Sequence, residues 1–219
     1  LLIGDAGFAG TVILTQGSLT RIERRAEDRV YAEAGVSCAK FARFASRHDL
    51  VGVEFLAGIP GTMGGALAMN AGAWGGETWP HVRRIWTVDR SGCMRERAPA
   101  DFSAGYREVV GPEGEWFLGV ELGLTPGDGA AAMERMRALL ERRAQTQPIG
   151  QPSCGSVFRN PPGDHAARLI DLLGLKGYRI GGAQVSEKHA NFIINTGAAT
   201  AADIAGLIRH VQDTVERHT

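Results

Sequence analysis

Residues 58–77 read GIPGTMGGALAMNAGAWGGE, which is the glycine-rich stretch of the chain that says most about its fold. Seven of its twenty positions are glycine and four are alanine. Because each glycine costs about 0.5–1 kcal/mol relative to alanine inside a regular element, we do not expect a packed helix or strand here. A backbone that turns tightly and keeps its N–H groups available can bind oxygens. The pyrophosphate of a nucleotide cofactor is the obvious candidate ligand.

The glycine spacing alone leaves two interpretations open. The stretch has neither the GxGxxG pattern that follows a Rossmann strand nor the GK[ST] ending of a phosphate-binding loop. A loop that cradles a nucleotide and a purely structural turn are therefore about equally compatible with it.

Composition excludes several classes of function. The chain has 219 residues, and its 24 basic and 24 acidic side chains balance, so charge gives no case for binding nucleic acid or an anionic membrane. No apolar run reaches the roughly 20 residues that a membrane span needs, and no signal peptide opens the sequence. The three cysteines are widely separated and odd in number, so they show no metal spacing and argue against a disulfide framework. We expect a cytoplasmic protein with no metal and no implied protein partner.

Residue patterns predict a mixed α and β chain without a regular βαβ rhythm, which favours an α+β fold over a Rossmann sheet. We predict strands or strand-like segments at Thr11–Leu14, Leu19–Glu23, Arg29–Ala34, His81–Asp89, Trp116–Leu124 and Asn191–Ile194. We predict helices after an N-cap at Ser37, over Ala130–Thr146, over Ala166–Leu173 after a cap at Asp164, and after Thr200 with Asp203 as its acidic third position.

Five motifs give the chain a family resemblance that covers nearly all of it, in order. They are LLIGDAGFAGTVI at 1–13, the glycine stretch, GYREV at 105–109, PSCGSVFRNP at 152–161 and GYRIGGAQVSEKHANFIINTG at 177–197. Together they resemble the UDP-N-acetylenolpyruvoylglucosamine reductases (UDP-N-acetylmuramate dehydrogenases). The short interval between Arg107 and Ser156 resembles the compact subclass of that family.

The resemblance implies a fold and a division into domains. The expected fold is an α+β chain with a two-lobed FAD-binding domain of the vanillyl-alcohol-oxidase/PCMH type, its first lobe mostly missing, and a C-terminal α+β substrate-binding domain. We place the partial FAD-binding domain at 1–128, a connecting helix at 129–147 and the substrate-binding domain at 148–219. We expect the family's first flavin loop before Leu1 and its catalytic glutamate beyond Thr219, so that the sequence is truncated at both ends.

The resemblance also implies a reaction and a set of site residues. NADPH would reduce bound FAD, and UDP-N-acetylglucosamine-enolpyruvate would then be reduced to UDP-N-acetylmuramate, a peptidoglycan precursor. Adding hydride to an enol ether leaves negative charge beside the carboxylate, so the site needs a fixed cation and a proton source. Arg107 matches the family's catalytic arginine and Ser156 its proton donor. Cys154, two residues before Ser156, is expected to be a small packed residue.

The remaining expected site residues contact ligands. The expected FAD contacts, with the pyrophosphate at 60–65 and the ring near 70–73, are Ile59, Pro60, Gly61, Thr62, Gly64, Gly65, Asn70, Ala71, Gly72 and Ala73. The expected substrate contacts are Arg159, Asn160, Lys188 and His189, and for the last two a solvated turn stays about as plausible. Two other functions remain open: another FAD oxidoreductase of the same fold class, and a nucleotide-binding fragment that is catalytically incomplete.

Overall fold

The computed structural model of the protein describes residues 2–218. These residues form two compact units. The larger unit is Val12–Glu141, and the smaller unit combines residues 2–11 with 142–218. The domain bounds given above stay a prediction.

The larger unit contains eleven strands, two complete helices and most of a third helix. Its strands are β1 (Ile22–Ala26), β2 (Arg29–Glu33), β3 (Leu50–Val51), β4 (Gly72–Ala73), β5 (Gly76–Glu77), β6 (Val82–Asp89), β7 (Met94–Arg97), β8 (Ser103–Gly105), β9 (Glu108–Val110), β10 (Glu115–Gly123) and β11 (Thr125–Pro126). Its helices are α1 (Cys38–Arg47), α2 (Met63–Ala68) and α3 (Gly129–Thr146), the last of which continues into residues assigned to the smaller unit. Short 3₁₀ turns occupy Glu54–Gly58, Trp79–His81 and Pro99–Asp101.

An antiparallel five-stranded sheet in the order β1-β2-β10-β6-β7 is the framework of the larger unit. Ala32, Val120 and Ile85 lie side by side across three of its strands, and all three are fully buried. This follows from the alternation of apolar residues along each strand, which directs every second side chain to the same face. The strands predicted at Leu19–Glu23 and Arg29–Ala34, and the two long predicted strands, are confirmed within a few residues.

Helix α1 begins where the sequence predicts, because the Ser37 side chain accepts a hydrogen bond from the Lys40 amide at 3.2 Å. Its apolar face buries Phe41 in the core of the larger unit, together with Leu56 and Leu67. The long helix predicted over 130–146 is also confirmed, as α3.

Helix α2 lies inside the glycine stretch, so the expectation that no packed helix forms there is wrong in part. Thr62 caps it by accepting a hydrogen bond from the Gly65 amide at 3.4 Å, and Met63 and Leu67 are fully buried. Glycine fits because α2 approaches the chain after β2 closely. A Cβ at Gly64 would lie 2.9 Å from the Ala34 Cβ, whereas the Gly64 amide now donates to the Ala34 carbonyl at 2.9 Å.

The smaller unit contains a second antiparallel sheet and two helices. Its strands are β12 (Ser153–Ser156), β13 (Arg179–Ile180), β14 (Ala183–Val185) and β15 (Phe192–Asn195), in the order β12-β15-β14-β13, and its helices are α4 (Ala166–Leu172) and α5 (Ala201–Glu216). Leu207 and Val211 of α5 pack with Ile170 of α4 and Val185 of β14 in its core. The predicted capping box is confirmed, since Thr200 and Asp203 each accept a hydrogen bond from the other's amide.

Two local predictions are wrong. Thr11–Leu14 is not a strand, and Val12, Ile13 and Leu14 are exposed. A β-branched run needs a neighbouring strand to satisfy its backbone, and no strand within residues 2–218 pairs with it. Asp164 does not cap α4 either: the N-cap position is His165, and Asp164 forms an ion pair with Arg168.

Both units combine antiparallel sheets with separate helices, which confirms the predicted α+β class. Within residues 2–218, no helix is both long enough and apolar enough to cross a membrane.

Candidate active site

The first half of the glycine stretch presents backbone N–H groups in an exposed turn. Gly61 is exposed with φ at +156°, and within the described chain no atom lies within 4 Å of where its Cβ would be. Its carbonyl accepts a hydrogen bond from the Cys38 amide at 3.0 Å, which ties the turn to α1. No protein acceptor among residues 2–218 is recorded for the amides of Gly61 and Thr62. Two adjacent donors in an open turn fit the oxygens of a pyrophosphate.

The other expected cofactor contacts are distributed along the same stretch. Pro60 and Gly65 are exposed, and Ile59 is half-buried after the 3₁₀ turn. Ala71 and Ala73 pack partly against the core of the larger unit, and Gly72 and Ala73 form β4. Their contact with a cofactor stays a prediction.

Asn70 stands out in the stretch because its side chain makes three hydrogen bonds within the protein. It is 6% exposed, and its backbone adopts a φ of +40°. Its Nδ2 donates to Glu77 Oε2 at 3.1 Å and to the Gly105 carbonyl at 3.2 Å, while its Oδ1 accepts from the Trp79 amide at 3.1 Å. The cofactor contact expected for Asn70 remains untested, and its side chain links the glycine stretch to the segment that carries Arg107.

Arg107 lies in the two-residue turn of the hairpin formed by β8 and β9, in which Gly105 pairs with Glu108. Its φ is +54°, a left-handed conformation that is uncommon for a residue with a side chain. Such a conformation costs about 1–3 kcal/mol and occurs often at functional sites. The Arg107 guanidinium carbon lies 5.8 Å from the centre of the Tyr106 ring. The arginine expected to bind the substrate carboxylate is thus held in a strained turn.

Ser156 ends β12 directly after a β-bulge. Between the pairs Ser153–Ile194 and Ser156–Phe192 the register shifts, and Gly155 within the bulge has a φ of +83°. A glycine in this conformation lets a strand bend and changes the direction of the side chains that follow it. Cys154, in the same bulge, is exposed, so the expectation that it is packed is wrong.

The residues after Ser156 are held by Asn191, which the sequence reasoning did not single out. Asn191 is buried; its Nδ2 donates to the Phe158 carbonyl at 3.0 Å and its Oδ1 accepts from the Phe158 amide at 2.8 Å. The Asn191 carbonyl accepts from the Val157 amide at 3.0 Å. The available signal was an asparagine at the first position of the predicted strand Asn191–Ile194, whose other three residues are apolar.

The four expected substrate contacts are all in the smaller unit, but they differ in their surroundings. Arg159 and Asn160 are exposed, and Asn160 Oδ1 accepts from the Ala166 amide at 3.1 Å, which caps α4. Lys188 Nζ donates to the Ala144 carbonyl. His189 is half-buried against Phe192 with ring centres 4.8 Å apart, and burial lowers its pKa, so the imidazole is neutral near pH 7. These four contacts stay predictions.

Within residues 2–218, no group of three or more His, Cys, Asp or Glu side chains has a geometry that could hold a metal ion. The three cysteines form no disulfide.

Comparisons with known proteins agree with this arrangement. Residues 147–219 match the family described as UDP-N-acetylenolpyruvoylglucosamine reductase, C-terminal domain, and residues 1–96 match the family described as FAD binding domain. The UDP-N-acetylenolpyruvoylglucosamine reductase of Alkalilimnicola ehrlichii is 63% identical over 217 residues, which are 99% of this chain and 72% of the relative. The enzyme of the same name from Methylococcus capsulatus is 63% identical over 98% of this chain and 71% of its own length.

The chain belongs to the UDP-N-acetylenolpyruvoylglucosamine reductase family. Among solved structures, the crystal structure of UDP-N-acetylenolpyruvylglucosamine reductase (MurB) from Thermus caldophilus matches with a TM-score of 0.78 and 37% identity, covering 84% of this chain and 68% of that one. The predicted family and the predicted α+β FAD-binding fold are confirmed.

Membership in the reductase family makes the chain a flavoprotein oxidoreductase with FAD as its cofactor, acting in peptidoglycan precursor synthesis. The turn at Gly61 and Thr62 is chemically suited to such a cofactor, since it offers two backbone donors beside open space.

Proposed function

We propose that the chain reduces UDP-N-acetylglucosamine-enolpyruvate to UDP-N-acetylmuramate with NADPH as reductant, and that Arg107 and Ser156 are its catalytic residues. When bound, FAD supplies the hydride chemistry of this reaction. Both residues stand in motifs of the reductase family, and the observation that supports Arg107 is its left-handed backbone in a hairpin turn whose Gly105 carbonyl is bound by Asn70.

Arg107 suits the stabilisation of charge. Hydride addition to the enolpyruvyl double bond places negative charge on the carbon beside the carboxylate, as an enolate. A guanidinium is always protonated near neutral pH and binds a carboxylate through two parallel hydrogen bonds. We assign Arg107 to the substrate carboxylate, where its charge lowers the energy of the enolate, which carries an additional negative charge, more than that of the singly charged enol ether carboxylate.

Ser156 suits the delivery of the proton. An enolate is a strong base, so a hydroxyl in the correct position is acidic enough to protonate its carbon. The bulge at Gly155 and the hydrogen bonds of Asn191 to Phe158 fix the backbone on both sides of Ser156. We assign the Ser156 hydroxyl as the donor.

Arg159, Asn160, Lys188 and His189 are proposed as contacts for the nucleotide part of the substrate. Arg159 supplies an exposed cation for a phosphate, whereas His189 supplies a neutral hydrogen-bonding ring because burial lowers its pKa. Asn160 and Lys188 already bond the Ala166 amide and the Ala144 carbonyl, so a role in substrate binding requires that they share or exchange these partners. We also propose that the protein acts in the cytoplasm, with which its three cysteines outside any disulfide agree.

The Ser156→Ala variant tests the assignment through two half-reactions followed by the flavin absorbance. We expect the reduction of bound FAD by NADPH to stay within about twofold of the unmodified chain, while reoxidation by the enolpyruvyl nucleotide slows by about 10²-fold or more. Ser153→Ala is the matched control, since Ser153 lies in the same strand on the other side of the bulge.

Three results would contradict the proposal in different ways. Equal loss of both half-reactions in Ser156→Ala would remove the proton-donor role. Equal loss in Ser153→Ala and Ser156→Ala would assign the effect to the strand instead of the hydroxyl. Reduction of FAD by NADPH without any reoxidation by the enolpyruvyl nucleotide in the full-length protein would favour another FAD oxidoreductase.

A further inference from the structure

The hairpin β8–β9 is fixed at its base by aromatic packing. Phe102, directly before β8, lies against Trp79 with ring centres 5.1 Å apart and against Phe117 at 5.6 Å. Trp79 is buried, and its Nε1 donates to the Leu67 carbonyl at 2.8 Å. The start of the hairpin is therefore anchored to α2 and to the sheet of the larger unit.

The turn of the hairpin has a separate anchor, which is Asn70. The Gly105 carbonyl lies two residues before Arg107 and accepts a hydrogen bond from Asn70 Nδ2 at 3.2 Å. Gly105 itself is exposed, and no atom lies within 4 Å of where its Cβ would be within the described chain. The hydrogen bond from Asn70, a side chain that is only 6% exposed, therefore ties this turn to the glycine stretch.

The side chain of Asn70 is well suited to this task because all its polar atoms are engaged. Both hydrogens of Nδ2 are used, on Glu77 and Gly105, and Oδ1 receives the Trp79 amide. Its φ of +40° lies in the left-handed region that asparagine tolerates, and the three bonds tie Asn70 both to 77–79 and to Gly105.

We propose that Asn70 is a positioning residue for Arg107, acting through the Gly105 carbonyl. This inference rests on the role proposed for Arg107. Asn70 connects the stretch expected to hold FAD with the hairpin that carries the arginine expected to hold the substrate carboxylate. It therefore fixes the position and orientation of the Arg107 guanidinium relative to that stretch. A displacement of about 1 Å in such a group costs about 10²-fold in rate.

The Asn70→Asp variant separates this role from a general loss of structure. Aspartate keeps the oxygen that accepts from Trp79 and tolerates a positive φ, but it cannot donate to Gly105 and places a second carboxylate beside Glu77. Asn70→Gly is the second variant, because glycine accepts the backbone conformation and deletes the side chain. Asn195→Asp is the matched control, because the Asn195 side-chain oxygen accepts from the amides of Gly197 and Ala199, and aspartate keeps that acceptor.

The first measurement needs no cofactor and no activity. Hydrogen–deuterium exchange of the peptide covering 103–110 in the FAD-free chain should be about tenfold faster in Asn70→Asp and Asn70→Gly than in the unmodified chain and in Asn195→Asp. Exchange in the five-stranded sheet should not change. Unchanged exchange at 103–110, or equally faster exchange throughout the larger unit, overturns the inference.

The second measurement is a double-mutant cycle with Arg107→Lys on the FAD-loaded chain. Asn70→Asp alone should slow reoxidation by the enolpyruvyl nucleotide by about 10- to 100-fold and leave FAD reduction by NADPH within about twofold. In the Arg107→Lys background it should slow reoxidation by less than about threefold, because the arginine that it positions is already lost.

The outcomes distinguish this inference from the proposed function. The positioning role is overturned if Asn70→Asp slows reoxidation by the same factor in the unmodified chain and in the Arg107→Lys background. It is also overturned if FAD reduction or FAD affinity falls by the same factor as reoxidation. Either result assigns Asn70 to the cofactor. Normal reoxidation in Asn70→Asp with slow reoxidation in Arg107→Lys overturns the inference alone. Normal reoxidation in Arg107→Lys overturns both the role proposed for Arg107 and the inference that depends on it.

Discussion

The side-chain amide of Asn191 and the backbone of Phe158 form a reciprocal pair of hydrogen bonds, from Nδ2 to the Phe158 carbonyl at 3.0 Å and from the Phe158 amide to Oδ1 at 2.8 Å. A side-chain amide here replaces the backbone partner that a neighbouring strand would supply. The pairing continues the sheet beyond the end of β12 for two residues, since Val157 also donates to the Asn191 carbonyl. Ser156 is therefore flanked by backbone that is bonded on both sides.

Removing this amide should destabilise the smaller unit and displace Ser156. Each buried backbone group left without a partner costs about 1–3 kcal/mol, so we expect Asn191→Ala to lower the free energy of unfolding by about 2–4 kcal/mol. Asn191→Asp keeps the acceptor for the Phe158 amide and loses only the donor, so it should have a smaller effect. Urea unfolding of the FAD-free chain measures both. An Asn191→Ala variant as stable as the unmodified chain would contradict this account.

Gly155 provides a separate test of how Ser156 is oriented. Its φ of +83° is strained for any residue with a Cβ, although nothing within the described chain lies within 4 Å of where a Cβ would be. We expect Gly155→Ala to cost about 1–2 kcal/mol of stability and to slow reoxidation of the flavin by the enolpyruvyl nucleotide by about tenfold or more, because the bulge changes shape.

Gly174→Ala is the control for this backbone effect. Gly174 follows α4 with a φ of +68° and equally open surroundings. It should lose similar stability and keep its reoxidation rate. If both variants lose rate equally, the effect comes from general destabilisation of the smaller unit and the bulge has no special role.

Local signals explain which parts of the fold the sequence predicted. Ser37 caps α1 and Thr200 caps α5 through contacts within three residues, so both helix starts were visible in the sequence. The strand in which Val30 and Ala32 are buried was likewise predictable, because its alternating pattern depends only on neighbouring positions in the sequence. The strand expected at Thr11–Leu14 failed because strand formation depends on a partner elsewhere in the chain.

The supports of the candidate site depend on distant contacts, and the sequence did not reveal them. Asn70 binds the carbonyl of Gly105, 35 residues away, and Asn191 binds Phe158 across 33 residues. The spacing of apolar residues along the sequence gives no indication of such a long-range pair. Arg107 and Ser156 were identified by family resemblance, whereas the strained turn and the bulge that hold them became visible only in three dimensions.

The buried thiol of Cys38 gives a prediction about pH. Cys38 is the first residue of α1 and is fully buried, and burial raises its pKa from the ordinary value of 9.0 to about 12. As the pH rises above about 9, the unfolded chain loses this proton while the folded chain keeps it. The unfolded state is then favoured, so this thiol makes stability fall between about pH 9 and pH 12.

Substitution of Cys38 should remove that part of the pH dependence. Between pH 8 and pH 10.5, the free energy of unfolding of the unmodified chain should fall by up to about 2 kcal/mol more than that of Cys38→Ala. Other groups titrate in this range, but they are common to both chains and cancel in the comparison. The exposed Cys93 supplies the control, because Cys93→Ala should retain the steep dependence of the unmodified chain. Urea unfolding at the two pH values under reducing conditions measures the difference. If the stability of Cys38→Ala and that of the unmodified chain depend on pH in the same way, burial does not raise the pKa of Cys38 in the folded state.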